Sequence, residues 1–193
     1  MTTPGATRDR DDEKTPVGRD EVVAAVLAHA ADLFAERGPA ATSIRDVAAR
    51  SGVNHGLIFR HIGTKDQLVG AVLDQLAQQT SVQLESGASA ATVEAEGERH
   101  WKVLARAILD GFPVGELQHR FPGAAMVIDR AKDSHADDRA ARIAAANALA
   151  LQLGWRLFGP FLRSATGLGN IAEAELRKDI DICAAGILTA PSA

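Results

Sequence analysis

Apolar residues recur at helical spacing in the first part of the chain and predict two helices there. The first helix begins near Asp20 and ends at Gly38 and Pro39, because this pair interrupts helical backbone. The second, shorter helix begins at Thr42 or Ser43, since either hydroxyl can cap the free amides of its first turn. The inward-facing apolar positions are Val23, Val26, Leu27, Ala30, Leu33 and Phe34 in the first helix and Ile44, Val47 and Ala48 in the second.

Two more helices follow short polar breaks. Residues 51–54 form the first break, and Asn54 at its end can cap a third helix that ends near Ile62. Thr64 and Gln67 have the spacing of a capping box and start a fourth helix. The buried stripe of that helix contains Leu68, Val69, Val72, Leu73 and Leu76.

The next part of the chain also carries helical patterns, and no segment shows the alternation typical of a strand. Residues 86–91 form a low-complexity hinge, after which a helix is expected from Glu98 to Asp110 with a stop at residues 111–113. Pro122 opens another helical segment. The whole pattern predicts an all-α fold.

The last two predicted helices are the most apolar. The segment from about Asp137 to Ala165 is apolar on too many faces for a surface helix, so we expect it to lie buried between neighbours. Asn170 and Glu173 have a spacing similar to a capping box and start the last helix. Its apolar residues recur at intervals that predict a packing seam, which contains Leu176, Ile180, Cys183 and Ile187.

Composition narrows the class of protein. A chain of 193 residues that is 46% hydrophobic and 24% charged can bury a substantial core. No apolar run approaches the ~20 residues of a membrane span, and residues 1–18 lack the apolar core of a signal peptide, so we expect a cytoplasmic protein without a membrane partner. The mixed charges of residues 1–18 predict a disordered arm, and their carboxylates favour a solvated tail over an arm in the DNA minor groove. Cys183, the single cysteine, is expected to be a small buried hydrophobe.

Charge and motifs bear on the function classes. The formal net charge of −4 argues against indiscriminate coating of nucleic acid, although it permits a local basic patch. The chain lacks GxSxG, HExxH, a phosphate-binding loop and a GxGxxG after a strand. Its carboxylates are scattered, and His100, His119 and His135 lack the paired spacing of metal ligands. We therefore predict no catalytic site, no cofactor and no metal.

Residues 42–65 combine several requirements of a helix-turn-helix. Ala48 is small where the second helix must approach the first, and Gly52 supplies the positive φ of a tight turn. Val53 and Ile58 fill the angle between the two helices. Together these residues predict a motif that aims one helix at a DNA major groove. The alternative is a helical hairpin that merely packs.

The segment from Asn54 to His61 would be the recognition helix. Arg60 can bind a phosphate or a guanine edge, and Gly56 permits close approach of the backbone to the duplex. The outward-facing residues are His55, Gly56, Phe59 and Arg60, with Leu57 toward the flank.

Phosphate contacts are expected where the neighbouring helices begin. Caps at Thr42 or Ser43 and at Thr64 put free amides and positive dipole ends near phosphates, and Lys65 adds a point charge. Arg45 lies on the first helix of the motif, where a DNA contact and simple solvation both stay open.

The segment TSIRDVAARSGVNHGLIFRHIGTKDQLVGAV resembles the N-terminal domain of the tetracycline-repressor (TetR) family, which typically reads T-x-x-x-I-A-x-x-A-G-V-S-x-x-T-L-Y-x-H-F-x-x-K-x-x-L. The resemblance covers roughly residues 20–75. It implies a three-helix DNA-binding domain at residues 19–66 and an effector-binding and dimerisation domain at residues 67–193. It also implies a homodimer that binds a double-stranded DNA operator and is released by a small-molecule effector.

The resemblance transfers roles to individual positions. Phe59 replaces the usual Tyr and loses a hydroxyl-to-phosphate bond, Leu57 replaces a Thr, and Ile62 replaces a Phe. We therefore expect the protein to bind DNA with weaker contacts to the phosphate backbone and to recognise an operator of unusual sequence. For His61, a phosphate contact and a half-buried, hydrogen-bonded histidine both stay open. The phosphate-contact positions are Thr42, Asn54, His61 and Lys65, and the base-reading positions are His55, Gly56 and Arg60.

Bulky apolar residues are concentrated in the second half of the chain. They form either simple core or the wall of a small-molecule site, since such sites are apolar with a few polar anchors. The family resemblance favours a pocket for a small, apolar effector. Its expected lining residues are His100, Trp101, Leu104, Phe112, Met126, Asn147, Trp155 and Phe158.

Two functional hypotheses follow from the sequence. In the first, the helices around Ala146–Ala165 and Ile171–Ile187 pack against their twofold mates, and the dimer represses transcription at a pseudo-palindromic operator. In the second, the chain is a helical ligand-binding or adaptor protein with a weakened DNA-binding motif, which the changes at Phe59 and Leu57 favour. A small enzyme is a third and less favoured class.

Overall fold

The computed structural model describes residues 18–189, and these residues form nine α-helices and no strand. None of these helices is long and apolar enough to cross a membrane. The predicted arm at residues 1–18 lies outside the described residues, except for Gly18. The helices are α1 (Arg19–Arg37), α2 (Ile44–Ser51), α3 (His55–His61), α4 (Lys65–Glu85), α5 (Ala90–Leu109), α6 (Val114–Leu117), α7 (Pro122–Lys132), α8 (Asp138–Ala165) and α9 (Glu173–Thr189).

The first hydrophobic core joins the four N-terminal helices to α5. Helix α1 packs against α2, α3, α4 and α5, and its Phe34 is fully buried. Val103 and Ala107 of α5 and Val114 of α6 belong to the same cluster. Most of the apolar positions assigned to the first four helices lie in this core, which contains Val26, Leu27, Ala30, Leu33, Val47, Val53, Ile58, Leu68, Val69, Val72, Leu73 and Leu76. The boundary at residue 66 stays a prediction.

Helices α2 and α3 are held at a defined angle by local geometry. Ser43 and Asp46 form a complete capping box at the start of α2, with hydrogen bonds from the Asp46 amide to the Ser43 hydroxyl and from the Ser43 amide to the Asp46 carboxylate. Gly52 ends α2 with a φ of 65°, a left-handed conformation that a residue with a Cβ adopts at a cost. The chain therefore turns sharply into α3.

The second core is smaller and rich in alanine. It lies between α7, α8 and α9, whose small side chains allow the helix backbones to approach closely. Arg163 donates hydrogen bonds to the carbonyls of Gly169 and Ile171, which holds the connection between α8 and α9. The buried residues are Ala131, Ala141, Ala144, Ala145, Ala148, Ala184 and Leu188.

Helix α6, which the sequence analysis does not predict, packs tightly on α4. A Cβ on Gly70 of α4 would lie 2.2 Å from the backbone oxygen of Leu117, so only glycine allows this approach. The amides of His119 and Arg120 donate hydrogen bonds of 2.9 and 2.7 Å to Asp74 Oδ1. These contacts hold residues 114–120 against α4.

Several expectations for residues 86–189 are wrong, and one of them is the burial of α8, which exposes Leu157, Phe158 and Phe161. Helix α5 begins at Ala90 instead of Glu98, because the Ser89 hydroxyl accepts from the Thr92 amide and caps the helix earlier. Helix α9 begins at Glu173, so Asn170 lies too far before it to act as its cap. Cys183 is exposed, because the neighbouring Ala184 takes the buried position.

The close packing of α4 on α6 predicts the effect of a single methyl group. Gly70→Ala should lower the free energy of unfolding by about 2 to 3 kcal/mol, because the methyl group displaces the Leu117 carbonyl. Urea unfolding followed by circular dichroism at one protein concentration measures the change. Gly97→Ala in α5 is the control, since nothing lies within 4 Å of that Cβ. It should stabilise the helix by up to about 1 kcal/mol. Equal stability of both variants would contradict the packing.

Candidate nucleic-acid interface and candidate effector cavity

Helix α3 presents one side to the protein core and the other to solvent. Ile58 is 0% exposed and belongs to the first core, together with Val47 and Val53. In contrast, His55, Gly56, Leu57, Phe59 and Arg60 are all exposed, and Phe59 reaches 61%. The residues of the predicted recognition surface are therefore together on one accessible side of a short helix.

The cations around this surface differ in whether a carboxylate already neutralises them. Arg37 pairs with Asp46 at 3.1 Å, and Arg50 pairs with Glu36 at 2.9 Å. Within residues 18–189, Arg45 on α2 and Arg60 on α3 form no ion pair, and both are exposed. An acidic chain can thus keep positive charge where a polyanion would approach.

Lys65 lies at the first turn of α4 and contacts two other parts of the molecule. Its Nζ donates a hydrogen bond of 3.2 Å to the carbonyl of Ala40, in the turn before α2. The same Nζ lies 5.7 Å from the ring centroid of Phe112, a distance at which a cation is attracted to an aromatic face. Lys65 is therefore positioned beside α2 rather than extended into solvent.

Thr42 and Ser43, two of the predicted phosphate contacts, have hydroxyl groups that form hydrogen bonds within the protein. Thr42 is 1% exposed, and its hydroxyl donates to the Gly38 carbonyl at 2.8 Å and accepts from Arg37 Nε. Ser43, and not Thr42, caps α2, and its hydroxyl donates to Asp46 Oδ2 at 2.8 Å. In this conformation neither hydroxyl is available to a phosphate.

The Asp46 carboxylate has a structural role at the start of α2. Hydrogen bonds from the backbone and then the side chain of Ser43, with the charges of Arg37 and Lys65, lower its pKa. Its negative charge also lies at the helix end where the sequence analysis expected a phosphate. DNA contacts by Thr42 and Ser43 stay a prediction, which these hydrogen bonds and this charge do not favour.

Asn54 and Thr64 keep a hydrogen-bond donor that the protein does not use. Asn54 caps α3 through Oδ1, which accepts from the Gly56 amide at 2.8 Å, so its Nδ2 group remains available. Thr64 caps α4 by accepting from the Gln67 amide, and its hydroxyl hydrogen has no acceptor among the described residues. Both side chains can donate to a phosphate without losing the cap.

A cavity of about 780 Å³ lies in the second half of the molecule, between α4, α5, α7 and α8. Five of the predicted lining residues line it: His100, Trp101, Leu104, Phe112 and Met126.

The other three predicted lining residues lie elsewhere. Asn147 and Phe158 are exposed on α8, because the alanines of α8 face the second core and turn these side chains outward. Trp155 lines a different and more polar cleft of about 590 Å³, together with Glu98, Arg163 and Arg177.

Several cavity residues were missed by the sequence analysis. Gln118 is 4% exposed and donates a hydrogen bond from Nε2 to the Arg120 carbonyl. Thr80 and Ser81 extend the apolar stripe of α4 by one turn. The spacing of four residues from Leu76 and Ala77 is the signal that places these two hydroxyl groups on the inner face.

His100 of α5 is the buried titratable group of this cavity. Its Nε2 atom is buried without a hydrogen-bond partner among residues 18–189, and its ring stacks on Trp101 with centroids 6.0 Å apart. Burial lowers the pKa of His100 to about 4, so the imidazole is neutral at neutral pH. It therefore offers a polar but uncharged contact inside an apolar wall.

Helix α5 connects the cavity to the helices beside the candidate DNA surface. At its end, Asp110 Oδ2 accepts a hydrogen bond of 2.7 Å from the Ala40 amide. Arg106 donates to the Glu36 carbonyl, and Arg99 donates to the carboxylate of Asp32 on α1. One face of α5 thus lines the cavity while the other is bonded to α1 and to the turn before α2.

Comparisons with known proteins show which family of proteins this chain resembles. The family model described as "Bacterial regulatory proteins, tetR family" matches residues 26–72, from α1 through the first turns of α4. The HTH-type transcriptional repressor Rv3405c of Mycobacterium tuberculosis (strain ATCC 25618 / H37Rv) is 58% identical over 188 residues, which are 97% of this chain and 98% of that protein. The HTH-type transcriptional regulator Mb3439c of Mycobacterium bovis has the same identity and coverage.

A more distant relative matches only a short segment. The HTH-type transcriptional repressor KstR2 of Mycolicibacterium smegmatis is 42% identical over 55 residues, which are 28% of this chain and 25% of that protein.

The buried imidazole predicts a pH dependence of stability. The folded protein binds fewer protons than the unfolded chain between about pH 4 and about pH 6.5, so acidification through this window destabilises the fold. His100 should contribute roughly 2 to 3 kcal/mol to the loss. His100→Gln removes this contribution, and urea unfolding at several pH values measures the difference from the parent protein. Parallel pH profiles of parent and variant would show that His100 titrates normally.

Proposed function

Because the chain belongs to the tetR family of bacterial regulatory proteins, we propose that it is a transcriptional repressor whose homodimer binds a pseudo-palindromic operator and releases it when a small molecule binds. The repressor role comes from the relative of nearly full length that is named a repressor. The observation that carries the proposal is the exposed side of α3, which holds His55, Phe59 and Arg60 away from the core while Ile58 is buried. We place the protein in the cytoplasm with its DNA, in a regulatory and not a catalytic role.

Base reading is assigned to the exposed side of α3. Arg60 has the length and the donors to bind a guanine edge, and His55 lies near the helix start, where recognition helices contact bases. Leu57 and Phe59 add apolar surface, and an apolar side chain can contact the methyl group of thymine.

Phosphate binding is assigned to the side chains that keep available donors. Asn54 and Thr64 cap α3 and α4 and can donate hydrogen bonds to phosphates. Arg45 and Lys65 contribute positive charge, and His61, the last residue of α3, is the fifth proposed phosphate contact. Such contacts fix the position of the protein on the duplex and make its affinity depend on salt.

Dimerisation is assigned to the outer faces of α8 and α9. Leu157, Phe158 and Phe161 are exposed on adjacent positions of α8, with Phe161 at 68%, and Ile182 is exposed on α9. A cluster of large apolar side chains on the surface is a feature of association sites. Pairing by a twofold axis would place two copies of α3 about one DNA turn, ~34 Å, apart.

The effector site is assigned to the cavity, and α5 gives it a route to the DNA surface. A ligand that moves Phe112 changes the surroundings of Lys65, because the Phe112 ring is shared by the cavity wall and the Lys65 ammonium group. A shift of α5 also acts on Ala40 through Asp110. Ligand binding then favours a second arrangement with weaker DNA contacts.

Two substitutions test the roles assigned on the DNA surface. Arg60→Ala should weaken binding to the specific operator by about 1 to 3 kcal/mol and relax its sequence preference. Lys65→Ala should lower the affinity for operator DNA and for random DNA alike. It should also reduce the slope of log K against log salt concentration by about 1. The measurement is titration onto the DNA upstream of the protein's own gene and onto a shuffled duplex, at about 50 and about 200 mM salt.

Arg50→Ala is the control, because that guanidinium is already paired with Glu36. The affinity of the Arg50→Ala variant for operator DNA should stay within about twofold of the parent's affinity. Unchanged affinity of both the Arg60 and the Lys65 variant would contradict the placement of α3. Failure of the parent to prefer its own DNA at low salt would favour the ligand-binding or adaptor alternative.

The exposed apolar residues of α8 predict the oligomeric state. The parent should sediment at twice the 20.3 kDa mass of one chain, and Phe161→Glu should produce monomers, because a buried, unpaired carboxylate opposes association. Leu109→Glu is the matched control, since Leu109 is also exposed but lies at the end of α5. Analytical ultracentrifugation measures all three proteins. A monomeric parent or a dimeric Phe161 variant would refute this interface.

A further inference from the structure

The wall of the effector cavity contains no charged side chain among the described residues. Its helices contribute aliphatic and aromatic groups together with a few hydroxyl, amide and imidazole groups. An ion that entered this space would lose its water without gaining an opposite charge, which costs several kcal/mol. The cavity therefore selects against carboxylates, phosphates and ammonium groups.

Three of the six polar side chains of the wall already form hydrogen bonds within the protein. Thr80 donates to the Leu76 carbonyl, Ser81 donates to Glu85, and Gln118 donates to the Arg120 carbonyl. His100 Nε2 differs, because it is buried and has no hydrogen-bond partner in the part of the chain that the structure describes. An unpaired buried polar atom is unfavourable, and a ligand group that pairs with it recovers that cost.

The dimensions of the cavity limit the rest of the ligand. A volume of about 780 Å³ lies within the range of sites for small organic molecules. Ile108, Phe121 and Met126 line the cavity and are each about half exposed, so they form its rim toward solvent. His100 and Trp101 lie on α5 two turns before Ile108. A ligand that reaches His100 from the rim passes mostly apolar wall.

We propose that the effector is an uncharged, mainly apolar molecule with a hydroxyl group that hydrogen-bonds to His100 Nε2 inside the cavity. A hydroxyl group fits because it can donate to a bare nitrogen or accept from a protonated one, whichever tautomer His100 adopts. The neutrality of the imidazole agrees with this, since a charged histidine would favour an anion. This inference rests on the proposed effector site and names the chemistry that the site recognises.

The test uses a tryptophan that lies in the cavity wall. The chain has two tryptophans, and Trp155→Phe leaves Trp101 as the single reporter, since Trp155 lines the other cleft. Fluorescence of this variant is followed during titration with 1-octanol, octanoate, octylammonium and 1-chlorooctane at neutral pH. We expect octanol to bind saturably, with an affinity at least about tenfold higher than that of octanoate or octylammonium.

His100→Leu in the same background tests the hydrogen bond. The substitution should lower the affinity for octanol by about fivefold, because one hydrogen bond is lost. The affinity for chlorooctane should be unchanged or higher. His100→Gln, which keeps a donor and an acceptor, should bind octanol better than the leucine variant does. Circular dichroism checks the fold of each variant. If the leucine variant does not fold, the glutamine variant and the discrimination against ions decide the question.

The contradicting outcomes are also distinct. Equal or tighter binding of octanoate or octylammonium would overturn the uncharged class, and an unchanged octanol affinity in His100→Leu would overturn the role of His100. No response of Trp101 to any probe would overturn the site. These measurements are made without DNA, so their outcome is independent of whether the protein binds an operator.

Discussion

The burial of Ile58 between α1, α2 and α3 is the contact on which the proposed DNA surface depends. This side chain, fully enclosed with Val47 and Val53, sets the rotation of α3 about its own axis. Because α3 has only two turns, the position of one buried residue decides which side chains face outward. The exposure of His55, Phe59 and Arg60 on the opposite side is a direct consequence, and the left-handed turn at Gly52 sets the angle at which this side is presented.

The two ends of the molecule are connected by helices that contribute to both. Helix α4 starts at Lys65 beside the candidate DNA surface and ends with residues that line the cavity. Helix α5 lines the cavity with His100 and Leu104 and is bonded to α1 and the following turn through Arg106 and Asp110. Packed helices move as units, so a displacement of either helix would also move α1 and the turn before α2.

Local signals in the sequence predict the first four helices and the bounds of α8, whereas α6 and the orientation of α8 depend on contacts between distant residues. The caps at Ser43, Asn54 and Thr64 depend on neighbouring residues and are as predicted, since capping is a short-range interaction. The orientation of α8 was not accessible, because its alanines and its larger apolar residues alternate around the helix and both are compatible with burial. Asn147 and Phe158 were therefore placed in the cavity, although the alanine face packs inward. The burial of Thr42 likewise depends on Gly38 and Arg37, which a spacing argument does not include.

The most direct test of this account is a crystal structure of the protein bound to a duplex that carries its specific site. We expect a twofold dimer with one copy of α3 in each of two successive major grooves, and Arg60 within hydrogen-bond distance of a base edge or a phosphate. Asn54, Thr64 and Lys65 should lie against phosphates, while Thr42 stays buried. A complex in which the duplex contacts another surface, with the outer side of α3 left in solvent, would contradict it.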